Sequence, residues 1–404
     1  MKQGYLSNYF SGVGAKRLTA SEVSPNVSNQ HQFQGINDFI KIFGTENRKD
    51  IPVQLVWIDD EDKTYLNTSI TWTDARKKDE NRSPEYRIYY KTIAEEIIYR
   101  AEPNDILVIC EDKVGNFLMI ITPKGSSVES QLIWLFDLFT NEKDVYAERF
   151  EGYKDPQLTF ASRLILETIG VEVDETDNNY LDQILNKYGN SFPTTKEFSK
   201  FARESFPYEI DPQKNPDAAI LEWIEHEEIL FKTFEEYLVE KKLDKGFNDV
   251  DSFISFSLSV QNRRKSRMGY ALENHLQQIF TDCDLKFTHN AITENKARPD
   301  FIFPGENKYH KEDYPKRCLN MLGVKSTCKD RWRQVLSEAD KIQKKHLFTL
   351  EPGISKNQTT EMISNDLQLV LPRGLHNTYY DSQKNTLLTL AEFIELIIEK
   401  QKNC

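Results

Sequence analysis

No run of about eighteen apolar residues occurs in the 404-residue sequence, which excludes a membrane-spanning helix of ordinary length. The opening stretch Met1-Lys2-Gln3-Gly4-Tyr5-Leu6-Ser7-Asn8 has no apolar core after its lysine and no small-residue cleavage site. No secretory signal is read there, and a cytoplasmic protein is expected. Cysteine is scarce: Cys110, Cys283, Cys318, Cys328 and Cys404 are odd in number and form no C-x-x-C pair. Neither a disulfide framework nor a thiolate zinc site is indicated, so free thiols are expected. Also absent are G-x-x-x-x-G-K-[ST], G-x-G-x-x-G, G-x-S-x-G and H-E-x-x-H, and the seven histidines never stand at i, i+4. P-loop nucleotide hydrolysis, hydride transfer and histidine-ligated zinc therefore lack support.

What is present describes a globular chain of two or three domains, with 39% hydrophobic and 29% charged residues. The net charge of -12 argues against a polyanionic partner, but the average conceals a segment of opposite sign. Residues 261–350 hold 18 Lys+Arg against 11 Asp+Glu, which leaves 34 against 53 for the remainder. Nucleic-acid binding responds to the field at the contact surface, within a Debye length of about 10 Å, so that segment is the place to seek it.

Residues 1–150 read as short β-branched and aromatic runs, among them Pro52–Ile58, Tyr86–Tyr90, Ile106–Cys110 and Phe117–Ile121, separated by polar turns. Their length and spacing predict a mostly-β domain of barrel or sandwich type. Residues 151–190, with the acidic run Asp174–Asn179, lack a sustained period and read as a linker or small helical insert. From 191 to 404 the pattern is α/β. Thr194 and Glu197 have capping-box spacing, and Ile220, Ile224, Phe231, Phe234 and Leu238 keep one helical face. The seven glutamates between 221 and 240 read as that helix's solvated side. Past 261, a helix with Leu272, Leu276, Ile279 and Phe280 precedes extended segments near 285–289, 300–304 and 319–327. A helix around Trp332–Ile342 and strands at 346–350 and 367–371 follow. The order αβββαβ plus one further strand predicts a mixed sheet with helices against it.

Three residues of that domain could carry chemistry. Asp300 opens the strand Phe301–Phe303, Lys325 sits late in Asn320–Ser326 where a charge needs a reason, and Glu338 borders the packed face of the next helix. Phosphodiester hydrolysis needs two hard oxygen ligands for Mg²⁺ and a nearby ammonium that positions the nucleophile and balances developing charge. On spacing alone the alternative stays open: Asp300 capping a strand start, Lys325 paired with Glu338, and no turnover.

Asp300 after Pro299, followed by Lys325, resembles the PD-(D/E)xK nuclease superfamily. The longer string Gly323-Val324-Lys325-Ser326-Thr327-Cys328-Lys329-Asp330-Arg331-Trp332-Arg333-Gln334 resembles the EcoRII-type restriction endonucleases. Asn262–Arg267, Ser337–Lys341 and His346–Leu350 extend that likeness, which runs from about 191 to the C-terminus. It implies a restriction-endonuclease-like αβββαβ catalytic and dimerisation domain. Gly323 stands where the superfamily's usual second acid would be, and in this branch the following helix supplies the carboxylate, nominating Glu338 beside Asp300 as metal ligands. The resemblance adds Glu273 and Tyr309 as further catalytic candidates. Lys329, Asp330 and Arg331 resemble the motif that reads C·G pairs, Arg and Lys donating to guanine and Asp accepting from cytosine. Arg333, with the basic turn Arg263, Arg264, Lys265 and Arg267, is expected to contact DNA, chiefly at phosphates.

In the N-terminal region Lys16-Arg17-Leu18-Thr19-Ala20, His31-Gln32 and Glu85-Tyr86-Arg87 resemble a B3-like effector-binding domain, implying a pseudobarrel that binds a second DNA copy through Lys16, Arg17, His31, Gln32, Glu85 and Arg87. One departure concerns the middle of the target. Where the family's pocket for flipped bases has basic residues, this chain reads Glu222-Trp223-Ile224-Glu225-His226-Glu227-Glu228, which leaves the central base pair open. Taken together, the resemblance implies a homodimeric, Mg²⁺-dependent type II enzyme that cuts double-stranded DNA at a CC-GG type site such as CCWGG and is stimulated by a second site. A methyltransferase would act on the same sequence without direct contact. Two other readings remain: a DNA-binding regulator that kept the fold without turnover, and a modification-dependent or structure-selective nuclease.

Overall fold

The computed structural model describes residues 5–28, 30–77, 81–139, 145–150, 159–173, 180–329 and 331–404. The chain divides into two compact units, one of Met1–Val171 with Pro352–Gln358, the other of Glu172–Glu351 with Thr359–Cys404. The boundary falls within the 151–190 stretch. The run Asp174–Asn179 lies outside the described residues, whereas residues on either side form helices.

The first unit is built on one curled eight-stranded sheet, in the order β2-β5-β4-β3-β7-β6-β1-β8. Its strands are β1 (Phe10–Arg17), β2 (Gln32–Gln34), β3 (Arg48–Ile58), β4 (Lys63–Asp74), β5 (Tyr86–Tyr90), β6 (Ile106–Asp112), β7 (Phe117–Thr122) and β8 (Val145–Arg149). All pairings are antiparallel except β3 with β7. Two ten-residue helices accompany the sheet, α1 (Ser127–Phe136) and α2 (Phe160–Ile169), beside shorter one-turn helices. The core carries Trp72 stacked between Phe43 and Tyr86. The mostly-β expectation holds. Of the strands, β4 escaped sequence reading because its polar, alternately exposed residues carry no apolar run. β1 escaped because its glycines hide its apolar pattern. One of them, Gly14, lies so close to Phe39 and Ile42 that an added Cβ would stand 2.7 Å from Ile42 Cδ1.

The second unit begins with four helices, α3 (Leu181–Tyr188), α4 (Thr195–Ser205), α5 (Pro216–Lys245) and α6 (Val250–Asp282). The expected capping box at Thr194 and Glu197 starts α4. After α6 come β9 (Thr288–His289), β10 (Phe301–Phe303), β11 (Asn320–Lys325), α7 (Trp332–Leu336), β12 (Lys345–Thr349), β13 (Leu367–Val370) and α8 (Leu390–Lys402). The sheet order is β13-β12-β11-β10-β9, parallel from β11 to β13 and antiparallel from β9 to β11. This is the mixed sheet that the αβββαβ order implied. Phe280 of α6, Phe301 and Phe303 of β10 and Phe393 of α8 meet edge to face beneath it.

Two expectations are overturned here. The α5 glutamates are not all on a solvated side: Glu227 and Glu235 are buried, and they and Glu228 meet His275, Arg264 and Arg267 of α6, while Glu236 and Glu240 are exposed. Helix α5 packs against α3, α4 and α6 at once, so more than one face is covered, and the two arginines of α6 offset the desolvation of Glu228 and Glu235. Nor are all cysteines free, since Cys318 and Cys404 form a disulfide with Cα atoms 6.1 Å apart. They are 86 residues apart in sequence, a proximity made by tertiary folding that spacing could not reveal. Cys110, Cys283 and Cys328 remain thiols. Among the described residues no helix is long and apolar enough to cross a membrane.

His346 of β12 is buried beside Phe393, and burial lowers its pKa from 6.5 to about 3. The unfolded chain takes up a proton near pH 6.5 that the native state refuses, so this residue costs stability as pH falls from about 6.5. In chemical denaturation between pH 7 and 4, His346→Leu should lose less stability than the parent, by on the order of 2 kcal/mol; parallel losses would contradict the assignment.

Candidate active site

The antiparallel β10–β11 pair of the second sheet, with the helix that follows β11, brings the three nominated residues towards one end. Asp300 immediately precedes β10 and Lys325 ends β11; because β10 and β11 run antiparallel with Phe301 opposite Leu322, the start of one meets the end of the other. Lys325 Nζ lies 3.5 Å from Asp300 Oδ2, and the same carboxylate oxygen accepts a hydrogen bond from the Val324 amide at 2.6 Å. Both side chains are largely buried.

Glu338 arrives from the turn after α7. Its carboxyl is mostly buried, and Oε2 has no hydrogen-bond partner among the described residues. Burial raises its pKa from 4.5 to about 7; Lys325 opposes that rise, Asp300 reinforces it, and Lys345 opposes it weakly. The same logic holds for Asp300, where desolvation outweighs the adjacent ammonium and lifts the carboxyl above its ordinary value, with Glu273 adding to the rise. Two acids and one lysine thus share a poorly solvated space in which negative charge is under-compensated.

Gly323 explains why the second acid comes from the turn after α7. A Cβ at this position would stand 2.9 Å from Val335 Cγ2, because α7 packs directly on β11. No carboxylate can grow from residue 323 without displacing that helix. The Val335 contact that excludes it is also what carries Glu338, three residues on, to the strand end.

The other sequence candidates fall at varied distances from this centre. Glu273 of α6 contacts His289 Nε2 at 2.9 Å, and its charge is felt by Asp300, so it borders the cluster. Tyr309 does not join it. Its ring is fully buried and its hydroxyl donates to the Glu294 carboxylate, with burial and that partner both raising its pKa. The Lys341 Nζ and the Tyr309 carbonyl, 2.9 Å apart, tie the same region together, which makes Tyr309 a prop of the Ala339–Lys341 turn.

The basic run is not a turn but lies inside α6. Arg264 Nε donates to Glu235 at 2.6 Å, Arg267 is buried against Glu228 and over the Phe231 ring, and Arg263 stacks on Phe192. Arg267, buried, is therefore committed to an internal carboxylate, which corrects its expected role at phosphates, whereas Arg264, although paired with Glu235, is solvent-exposed like Lys265. Lys329 and Arg331 are exposed after β11, Lys329 with a left-handed φ of 40°, and Asp330 lies outside the described residues. Arg333 donates to both Glu361 oxygens at 3.0 and 2.9 Å and stacks on Trp332.

In the first unit Lys16 is buried in a 2.5 Å ion pair with Glu22, so it cannot serve as a surface contact, and Arg17 is held by Glu129 and the Asn104 carbonyl. A strand interior facing the core offers a lysine no other outcome. His31 pairs with Glu95 at 2.6 Å, Arg87 with Glu85, and Gln32 Nε2 donates to Gln30 at 2.6 Å. The last three sit half-exposed along the β2–β5 edge, where Gln32 lies opposite Tyr89 and Gln34 opposite Arg87.

For a divalent cation the fit is good in kind: two hard carboxylates, one with an orphaned buried oxygen, and an excess of negative charge. Among the described residues no three His, Cys, Asp or Glu side chains gather as a ready metal shell. Asp300 and Glu338 would have to be completed by backbone, water or substrate oxygens.

The element order and sheet pairing of the second unit, with Asp300, Lys325 and Glu338 towards one end of its sheet, agree with the restriction-endonuclease-like αβββαβ fold that the sequence suggested. Within it, residues 231–394 match the family model described as EcoRII C terminal. The chain is 43% identical over 204 residues to the type II restriction enzyme EcoRII of Escherichia coli, a match covering 50% of this chain and 50% of that enzyme. The chain thus spans about half the length of the curated relative it matches. Solved structures similar to it include metal-depleted Ecl18kI in complex with uncleaved DNA, at 17% identity and a TM-score of 0.45 over 56% of this chain and 84% of that one. The restriction endonuclease PspGI–substrate DNA complex aligns at 16% identity and 0.43 over 58% and 99%.

Two tests address the geometry. In metal-free protein Glu338 should cost stability as pH rises from about 4.5 to 7, because the unfolded carboxyl ionises in that window before the native one does. The stability of the parent relative to Glu338→Gln should therefore fall across that window, and a constant difference would refute the burial argument. Gly323→Ala should destabilise by about 1–3 kcal/mol through overpacking against Val335, measured by denaturant unfolding.

Proposed function

We propose that this chain is a type II restriction endonuclease that cleaves both strands of double-stranded DNA at a short palindromic CC-GG type site, CCWGG first among them. The observation that carries the proposal is the convergence of Asp300, Lys325 and Glu338 at one sheet end, supported by the likeness of residues 231–394 to the EcoRII C-terminal family. Asp300 and Glu338 would hold Mg²⁺, which supplies Lewis acidity at the scissile phosphate. Lys325 keeps an ammonium beside Asp300, where it orients the attacking group and offsets charge as the phosphate becomes more negative. The Val324 amide fixes the Asp300 carboxylate so that the oxygen shared with Lys325 does not rotate away. Lys329, Asp330 and Arg331, following directly on Lys325, are the proposed readers of the outer C·G pairs.

A two-fold target calls for two copies of the site, and α6 offers a surface suited to a second copy. From Ser252 to Asn262 this helix carries no charged residue, yet Phe253, Ile254 and Leu258 are about half exposed, at 49%, 46% and 52%, with Val250 at 70%. Such a face cannot serve phosphates, and it meets its own symmetry mate without like-charge repulsion. The N-terminal unit is proposed to bind a second DNA site through the β2–β5 edge, with His31, Gln32 and Arg87, and this stimulates cleavage.

Digestion of methylated and unmethylated plasmid with mapping of the cut ends tests the reading: discrete cuts at CCWGG in unmethylated DNA are expected. Scattered cuts, or cuts restricted to methylated DNA, would favour a modification-dependent nuclease instead. Lys325→Ala should reduce cleavage at least a hundredfold, on the order of what removing one transition-state charge partner costs. Replacing Ile254 and Leu258 by glutamate should yield a monomer by sedimentation that no longer makes double-strand breaks; a variant that stays dimeric would move the interface elsewhere.

A further inference from the structure

The chain between Lys325 and the proposed readers Lys329 and Arg331 is anchored at Cys328 through both of its backbone polar groups. The Cys328 amide donates to the Glu351 carboxylate, and the Cys328 carbonyl accepts from the Arg331 amide at 2.7 Å. Its side chain is wholly buried, and burial with the nearby Glu351 charge keeps the thiol protonated. Directly after this anchor Lys329 turns into the left-handed region, so small errors in the Cys328 peptide would be amplified at the Lys329 and Arg331 side chains.

Glu351 is itself well fixed. Its amide donates to Thr349 Oγ1 at 3.1 Å, and its carbonyl accepts from the Tyr379 hydroxyl at 2.7 Å. Thr349 is fully buried and lies opposite Lys325 in the parallel β11–β12 register. The clamp is therefore referenced to the strand pair that carries the catalytic lysine. Side chains that read base edges must hold their geometry closely, because a misplaced bidentate donor loses discrimination before it loses all binding.

We infer that Glu351 is a positioning residue for sequence discrimination: it locks the Cys328 turn to the catalytic strand layer and thereby sets the reading side chains in register with Lys325. This rests on the nuclease reading above, and it assigns Glu351 no contact with DNA or with the reacting atoms. A carboxylate suits the role because a charged acceptor makes a stronger bond to a backbone amide than a neutral one, while a glutamine could still accept that bond.

The test compares the full-length parent, Glu351→Ala and Glu351→Gln on two duplexes, one with CCWGG and one with a single outer C·G pair changed. Glu351→Ala should lower the ratio of kcat/KM between the two duplexes about tenfold, the equivalent of roughly one good base contact, with the change carried mainly by KM. Glu351→Gln should restore most of the ratio, and hydrogen exchange should show the Cys328 amide opening faster in the alanine variant alone. Unaltered discrimination in Glu351→Ala, a fall confined to kcat, or a glutamine variant as poor as alanine would overturn the inference. Should the alanine variant fail to fold, Glu351→Asp, which retains the charge but shortens its reach, reads the same ratio. If the parent cuts neither duplex, the nuclease reading fails. The ratio of binding affinities for the two duplexes, measured by fluorescence anisotropy across the same variants, then decides the role of Glu351 on its own.

Discussion

The cost of burying two carboxylates beside one ammonium shapes the catalytic unit. Asp300 and Glu338 both sit above their ordinary pKa values because desolvation outweighs the attraction of Lys325. A fold retains such an imbalance only when surrounding packing over-determines it. Here the determinants are the Val324 amide on Asp300, the Gly323–Val335 contact that sets α7 on β11, and the Tyr309–Glu294–Lys341 bonds that hold the turn beyond α7. Each of these acts on backbone placement, and none neutralises the acids. The proposed cation would relieve the imbalance they maintain.

How much of this the sequence disclosed depends on range. The αβββαβ order was legible because each element carries its own local period, and Asp300 and Lys325 were legible because a charge at the end of a buried strand breaks that period. Glu338 needed the resemblance as well as its spacing, since the reason for its position, the missing space at Gly323, exists only once α7 is docked. Glu351 gave no signal at all: one acid after an apolar strand is unremarkable until Cys328, 23 residues earlier, folds back onto it.

The misreadings share one cause. The α5 glutamates and the α6 arginines each read as solvated or DNA-facing charge because, taken alone, each is a run of one sign. Paired across the α5–α6 seam, they become ion pairs at Glu228–Arg267 and Glu235–Arg264 beside a Glu227–His275 hydrogen bond. Lys16 of β1 and Tyr309 likewise meet carboxylates, Glu22 and Glu294, that residue type alone does not announce. Side-chain type and local spacing do not encode such partners.

This pairing also bears on the excess positive charge of residues 261–350. Arg264, Arg267 and Arg333 are engaged with glutamates, and Lys325 with Asp300. Part of the segment's positive charge is thus offset by internal partners, while Lys265, Lys329 and Arg331 are among the cations it exposes. Each cation that stays on its carboxylate makes no phosphate contact, which lessens the salt dependence of binding and raises the share carried by base-edge contacts. A surface of that kind places its demand on the accuracy of a few side chains, which is why the anchoring of one peptide at Cys328 matters more here than the sum of nearby charge.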